Sequence, residues 1–299
     1  MNMAQAMNID GQQAQGGTLV QRSLFSELRA LLAAARKEWI IFRRYPSWVM
    51  AFFIWPVLFP LSNILRAKAL GGPDGSALSA FSRLAGTTDY ISFMVVGSTM
   101  WMWLNFTLWS VGFQLRDEQM RGTLESNWLC PVPRISVMLG ASLTDFSTAL
   151  MLLVITVLEF RLFFGVQLLQ GNLALLLLVV FLVIPTIYGL GLAFASLVVR
   201  FKEANAMVFL VRGIFMIFCG MSYPLAVLPG WMRRIASLLP LTYAIRSVRA
   251  VTLAGATFAD VLPDLQILAM FAIVMPALGY GAFRLAERRS RRMGTLGQY

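Results

Sequence analysis

Residues that could do catalytic chemistry are few in this sequence and lie far apart. There is no histidine, and long apolar stretches separate the two cysteines, Cys130 and Cys219. Zinc and most transition-metal sites need clustered histidine or cysteine ligands. The acidic residues are also dispersed, so no nucleophile with an adjacent base is visible. We therefore expect no catalytic residue, no metal ion and no cofactor bound by this chain.

The segment RDEQMRGTLESNWLCPVPR, residues 116–134, is polar although it lies between two long apolar stretches. Gly122 can end the helix that leaves the first stretch, and the hydroxyl of Thr123 can cap a new helix. Pro131 can end that new helix before the second stretch begins. The pattern predicts a short helix within this segment, which we call the polar segment.

Two apolar side chains would share one face of this short helix. Leu124 and Trp128 are four residues apart, and such residues are neighbours on a helix surface. Charged residues flank them, namely Arg116, Glu118, Arg121 and Glu125. An exposed apolar knob with a charged rim is typical of a docking surface. Composition alone leaves an ordinary tight loop as an equal alternative.

Two charged residues, Asp145 and Arg212, fall inside apolar stretches. Charges in such places usually face the interior of a bundle, a cavity or a partner. We expect an ion pair between them, with a polar path for a transported molecule or a position near the membrane interface as alternatives. Trp101 and Trp103 are about 200° apart around a helix. They are therefore predicted to point in opposite directions and to be packing or interfacial tryptophans, not one binding stripe.

The elements that must position these residues are long and apolar. The chain of 299 residues is 58% hydrophobic and 13% charged, whereas soluble domains have about 25% charged residues. A helix needs about 20 apolar residues to cross a bilayer. The sequence therefore predicts an all-α polytopic membrane protein. Its six predicted transmembrane helices are residues 47–65, 90–113, 135–158, 171–199, 204–222 and 265–283.

The net charge is +11, and the basic residues are divided unequally between the two sides of such a bundle. With the N-terminus inside, sixteen Lys and Arg residues fall on the cytoplasmic side and eight on the other. Cytoplasmic loops accumulate basic residues, so both termini are predicted to be cytoplasmic. Because the basic residues are scattered over loops, we do not expect nucleic-acid binding.

The two ends of the chain differ from the bundle in composition. Residues 1–21 are polar and predicted to be disordered. Residues 22–44 combine an apolar stripe with arginines at every seventh position, which is typical of an amphipathic helix in the membrane interface; a solvated helix face is the alternative. The stripe is Leu24, Phe25, Leu28, Leu31, Leu32 and Ala35, and the arginines are Arg22, Arg29, Arg36 and Arg43. The transmembrane domain then covers residues 45–286, and residues 287–299 form a basic cytoplasmic tail.

Residues 223–263 are too apolar for an ordinary loop and too charged for a span. Pro224, Pro229 and Pro240 divide them, and each proline limits a helix. We predict a pair of re-entrant short helices, which enter the outer leaflet and return while packed against protein or lining a cavity. A broken seventh span is the alternative, although it would export the arginine-rich C-terminus.

Two of these stretches resemble the permease subunits of ABC-2 type exporters. EQMRGTLESNWLCPVPR resembles their coupling region, in which an acidic residue precedes Gly-Thr-Leu-Glu and a proline precedes a basic residue. YPLAVLPGWMRRIASLLPLTY is similar to their second signature, between the fifth and sixth spans. The resemblance covers residues 22–290 in the order of the spans. Asn127, Trp128 and Cys130 depart from it, because smaller residues are expected there.

The resemblance implies which residues couple the permease to an ATPase and which form the re-entrant motif. A short cytoplasmic coupling helix and its flanks would contact the ATPase. Their residues would be Glu118, Gly122, Thr123, Leu124, Glu125, Trp128, Pro131 and Arg134. Those of the re-entrant motif would be Pro224, Pro229, Pro240, Thr242 and Tyr243.

The resemblance also implies a function. Such a permease forms a dimer in the bacterial cytoplasmic (inner) membrane and pairs with a separate ATPase subunit that binds ATP and Mg²⁺. No phosphate-binding loop is present, because Lys37, Lys68 and Lys202 do not follow the required glycines. The implied function is export of a lipid, a glycoconjugate or polysaccharide, or a drug-like molecule. An intramembrane lipid- or glycan-modifying enzyme and a non-transporting membrane scaffold are the alternatives.

Overall fold

The computed structural model describes residues 24–70, 76–120, 134–165, 171–201 and 204–293. Helices and connecting turns account for these residues, and no strand occurs among them. The helices are α1 (Leu24–Arg44), α2 (Pro46–Leu70), α3 (Ser76–Ala85), α4 (Tyr90–Met120), α5 (Arg134–Phe164), α6 (Leu173–Phe201), α7 (Ala204–Phe218), α8 (Gly230–Ala236), α9 (Pro240–Leu253) and α10 (Phe258–Met293). A 3₁₀ turn at Leu225–Val227 lies between α7 and α8.

Five of these helices are long and apolar enough to cross a membrane. Their apolar windows are Val49–Arg66 in α2, Tyr90–Phe113 in α4, Ser142–Phe164 in α5, Leu173–Leu197 in α6 and Phe258–Leu285 in α10. Each of these windows overlaps one of the six predicted spans, although the window in α5 is shifted from the predicted 135–158 and the window in α10 is longer than the predicted 265–283. The remaining predicted span, 204–222, corresponds to the shorter helix α7. Its 15 residues extend about 22 Å, less than the roughly 30 Å of a hydrocarbon core, so a sixth span stays a prediction.

Helix α4 forms the centre of the bundle. Of its apolar window, 83% is buried inside the protein, against 22–33% for the other four windows. Helices α2, α5, α6, α7 and α9 all pack against it. The outward faces of the other long helices carry exposed apolar side chains, as expected for helices that are surrounded by lipid.

The most extensive packing between helices joins α6 to α10. Two glycines allow the close approach of their backbones. A Cβ added to Gly189 would collide with the backbone of Met275 and Pro276, and one added to Gly279 would collide with the carbonyl oxygen of Gly189. Small residues at helix crossings permit such contact between backbones in membrane proteins.

Helix α1 packs along α5 and touches α2. The hydroxyl of Thr144 in α5 donates a hydrogen bond to the carbonyl oxygen of Ala35 (2.9 Å). The residues of the predicted apolar stripe differ in burial. Leu31 is partly buried, whereas Leu28 and Leu32 are each 53% exposed. The described arginines of the seven-residue repeat are exposed, namely Arg29, Arg36 and Arg43. The position of α1 in the membrane interface stays a prediction.

The region after α7 contains the 3₁₀ turn and the two short helices α8 and α9, where a pair of short helices was predicted. Helix α9 packs against α4, α6 and α10. Its buried face includes Leu241, Ala244, Ile245, Val248 and Val251. This burial against three long helices holds the region at one end of the bundle. Entry of these helices into the outer leaflet stays a prediction.

Candidate functional site

Of the residues predicted to couple to an ATPase, the structure places two in helices. Glu118 lies in the last turn of α4, and Arg134 is the first residue of α5. The others lie outside the described residues, namely Gly122, Thr123, Leu124, Glu125, Trp128 and Pro131. The short helix expected in the polar segment therefore stays a prediction.

The two helices that flank the polar segment reach it in different ways. The apolar window of α4 ends at Phe113, whereas the helix continues to Met120. Residues 114–120, QLRDEQM, are mostly polar and extend about 10 Å as a helix. Helix α5 begins at Arg134, the last residue of the polar segment, and apolar residues follow directly. The polar end of α4 and the start of α5 thus lie on either side of residues 121–133.

The structure does not pair Asp145 with Arg212. The guanidinium of Arg212 lies over the rings of Trp101 and Phe209, at 5.4 and 4.9 Å from their centroids. In the part of the chain that the structure describes, no ion pair joins Arg212 to a carboxylate. The reason is packing, since α7 contacts mainly α4, and the indole N–H of Trp101 donates to the carbonyl oxygen of Arg212 (3.1 Å). Asp145 lies on α5 and has other neighbours.

Asp145 belongs to a polar cluster inside the bundle, formed by Trp103, Thr107 and Ser110 of α4, Asp145 of α5 and Tyr188 of α6. The hydroxyl of Ser110 is within reach of the Asp145 carboxylate. Trp103 and Thr107, which are buried, approach the hydroxyl of Tyr188. The indole N–H of Trp103 and the hydroxyl of Tyr188 have no hydrogen-bond partner of normal geometry. The polar cluster thus combines a carboxylate with unpaired donors in the interior of the bundle.

In the sequence, Asp145 stands out as a charge inside an apolar stretch, whereas Thr107, Ser110 and Tyr188 do not stand out. One signal is visible, because residues 103, 107 and 110 recur at the spacing of one helix face. Tyr188 joins them only through the packing of α4 against α6. Trp101 and Trp103 do face different neighbours, as predicted. Trp101 stacks on Phe59 of α2 with 4.8 Å between ring centroids, whereas Trp103 approaches Tyr188.

A second arrangement, at the end of the bundle that includes α9, is built around Arg249. Its guanidinium donates to the carbonyl oxygens of Phe93 (2.9 and 3.2 Å), Gly220 (2.8 Å) and Met221 (2.6 Å). These bonds tie α9 to the beginning of α4 and to the turn after α7. Burial lowers the pKa of the Arg249 guanidinium to about 9, so the group is charged at neutral pH. Gly97 makes the arrangement possible, because a Cβ there would collide with Arg249 and with Met221.

Arg246, three residues before Arg249 on α9, pairs with Asp264 of α10. Its Nε donates to Oδ2 of Asp264 at 2.5 Å, and its Nη2 donates to Oδ1. The hydrogen bonds to Asp264 raise the pKa of Arg246. Asp264 is 8% exposed, so this bidentate pair neutralises a carboxylate that is nearly inaccessible to solvent. Two arginines in an apolar helix, followed by Asp260 and Asp264, are visible in the sequence, but their separate partners are not.

These two arginines line a cavity of about 410 Å³, which we call the arginine cavity. Its walls come from the turn between α3 and α4, from the 3₁₀ turn and from α9. Leu84 and Leu225 contribute apolar surface, and Thr242 also lines the cavity. The structure thus brings together two chain regions that the basic-residue count places on the same, non-cytoplasmic side.

The residues of the predicted re-entrant motif have separate structural positions. Pro224 precedes the 3₁₀ turn, Pro229 precedes α8 and Pro240 is the first residue of α9, where its fixed backbone angle suits a helix start. Thr242 lines the arginine cavity. The hydroxyl of Tyr243 donates to a carbonyl oxygen in the turn before α9 (2.8 Å). The motif therefore shapes the short helices and one wall of the cavity.

Comparison with known proteins identifies the family. A family model described as ABC-2 type transporter matches residues 29–253, from α1 to the end of α9. That range includes the polar segment, the polar cluster and the helix that carries both cavity arginines. No curated protein matches the chain. Since the family model covers most of a chain with five helices of membrane-spanning length, this multi-pass membrane protein belongs to the ABC-2 type transporter family.

Proposed function

We propose that this permease of an ABC transporter exports its cargo from the bacterial cytoplasm as a dimer of two identical chains. The family implies an ABC ATPase as a partner, and we place the docking surface for that ATPase on the polar segment. Both termini would then be cytoplasmic, in the inner membrane. The cargo would be a lipid, a glycoconjugate or polysaccharide, or a drug-like molecule.

The observation that carries this proposal is the geometry of the helix ends beside the polar segment. Helix α4 continues about 10 Å past its apolar window through mostly polar residues, and α5 begins at Arg134, the last residue of the polar segment. A partner bound to the polar segment would therefore act on two rigid helices and not on a flexible loop. Because α4 is the central helix of the bundle, a displacement of its end would be transmitted to the helices that pack on it.

A path for the cargo would use the interior of the same bundle. The polar cluster lies on α4, α5 and α6, so two of its three helices are the ones that bracket the polar segment. Intramembrane carboxylates such as Asp145 often mark transport pathways. Coupling through these helices requires α4 to move against α5. Such a movement would change the distance between Ser110 of α4 and Asp145 of α5.

The proposal is tested by replacing the predicted apolar anchor. Loss of a central aromatic residue at an interface often costs about 2 kcal/mol or more, which weakens binding about 30-fold. We expect Trp128→Ala to reduce copurification with the ATPase or to uncouple ATP hydrolysis from export. The matched control is Trp231→Ala, since Trp231 is 61% exposed on α8, in the region predicted to face the other side. Wild-type export and copurification in Trp128→Ala would contradict the docking role.

The same reconstituted system separates the alternative functions. Hydrolysis that is stimulated by a transported molecule supports a permease. Modification of a lipid or glycan without added nucleotide would instead support an intramembrane enzyme. Binding of the ATPase with no transport of any cargo class would support a scaffold.

A further inference from the structure

We propose that the arginine cavity binds an oxyanion, a phosphate ester or a carboxylate, carried by an amphiphilic molecule. The site is on α9 and its neighbours and is separate from the polar segment. The proposal goes beyond export, because binding can be measured on this chain without its ATPase.

The charged side chains that line the cavity are both arginines. Every hydrogen bond that the Arg249 guanidinium makes among the described residues ends on a backbone carbonyl oxygen. The nearby carboxylate of Asp264 accepts hydrogen bonds from Nε and Nη2 of Arg246. It therefore neutralises Arg246, whereas the charge of Arg249 has no carboxylate partner among the described residues. A buried charge without a counter-charge is unfavourable, so an anion near Arg249 would gain free energy.

An unpaired polar group lies at the same place. Thr242 lines the cavity and is 3% exposed. Its hydroxyl has no hydrogen-bond partner of normal geometry, although the thiol of Cys219 lies beside it. Buried hydroxyls are almost always hydrogen-bonded. An oxyanion in the cavity would accept a hydrogen bond from this hydroxyl while it lies near the guanidinium of Arg249.

The shape and chemistry of the remaining wall suit an apolar body. A volume of about 410 Å³ is within the range of about 300–1,000 Å³ for small-molecule sites. Much of the lining is apolar, and it includes Leu84, Phe93, Leu225, Ile245 and Leu253. A free inorganic ion would leave that surface without a partner. An anionic group attached to an apolar body matches both parts of the cavity.

The test compares ligands that differ in one chemical feature. The purified full-length chain in neutral detergent is titrated with phosphatidylglycerol, with phosphatidylcholine of identical acyl chains, and with inorganic phosphate. Native mass spectrometry or a thermal-shift titration gives the dissociation constants. We expect phosphatidylglycerol to bind at least tenfold more tightly than phosphatidylcholine. Tighter binding of phosphatidylglycerol than of phosphate supports the proposal, whereas equal binding of the two would assign the site to a free oxyanion and refute the amphiphilic carrier.

Two variants locate the binding in the cavity. Thr242→Val keeps the side-chain volume and removes one hydrogen bond, so we expect about fivefold weaker binding of phosphatidylglycerol. Ala226→Glu adds a carboxylate at an exposed position of the lining and should weaken binding more than tenfold. The control is Thr252→Val on the same helix, because that hydroxyl donates to the carbonyl oxygen of Val248 (2.7 Å) and does not line the cavity. Equal binding of both phospholipids, or wild-type binding by both cavity variants, would overturn the proposal.

Discussion

Replacing Arg249 with methionine should release the turn after α7 from the rest of the bundle. Methionine has a similar length but no donor, so the four hydrogen bonds to the carbonyl oxygens of Phe93, Gly220 and Met221 are lost. Each buried acceptor left without a partner costs about 1–3 kcal/mol. Removal of a buried charge offsets part of that cost. We therefore expect a net loss of about 2–4 kcal/mol in the free energy that holds the turn closed.

The neighbouring cysteine reports on this opening. Cys219 is 1% exposed and directly precedes Gly220, so a thiol reagent reaches it only when the turn opens. In a Cys130→Ser background, Cys219 is the one remaining cysteine. A loss of about 2 kcal/mol would speed its labelling about 30-fold when opening and closing are fast. The rate is measured in detergent with a maleimide and mass spectrometry.

A matched variant separates this effect from the general loss of a positive charge. Arg233 is exposed on α8, so Arg233→Met should leave the labelling rate of Cys219 within about twofold of the parent, as is usual for surface changes. If Arg249→Met is labelled at the rate of Arg233→Met, the hydrogen bonds of Arg249 do not hold the turn, and the reasoning is refuted.

Two further substitutions test the packing of α10. Gly189→Ala places a methyl group against the backbone of Pro276 and should destabilise the protein by about 1–3 kcal/mol through overpacking. The control is Gly213→Ala, whose added methyl group meets no atom within 4 Å, so it should be neutral or slightly stabilising. Thermal unfolding in detergent compares the two variants, and equal melting temperatures would contradict close contact of α6 with α10. Arg246→Met leaves the carboxylate of Asp264 unpaired and should destabilise the protein by about 1–3 kcal/mol, while adding Asp264→Leu should restore most of that loss. Failure of the double variant to recover stability would show that the pair contributes more than mutual neutralisation.

The pattern of apolar stretches was sufficient to predict most of the fold. The windows of α2, α4, α5, α6 and α10 agree with predicted spans because about 20 apolar residues have few soluble alternatives to a membrane helix. The prolines that divide residues 223–263 also predict where short helices begin, since proline cannot continue a helix from the preceding turn. The family follows from two quoted motifs, and the family model supports it over residues 29–253.

Tertiary structure alone decided which polar groups meet. The sequence suggests an ion pair of Asp145 with Arg212, but α7 packs on α4 and places Arg212 over Trp101. Charge and spacing also do not reveal that Arg246 binds Asp264 while Arg249 binds carbonyl oxygens. The physical reason is that hydropathy determines whether a helix crosses the membrane but not its rotation or its neighbours. Those depend on close contacts such as that of Gly189 with Pro276, and they determine which side chains face each other.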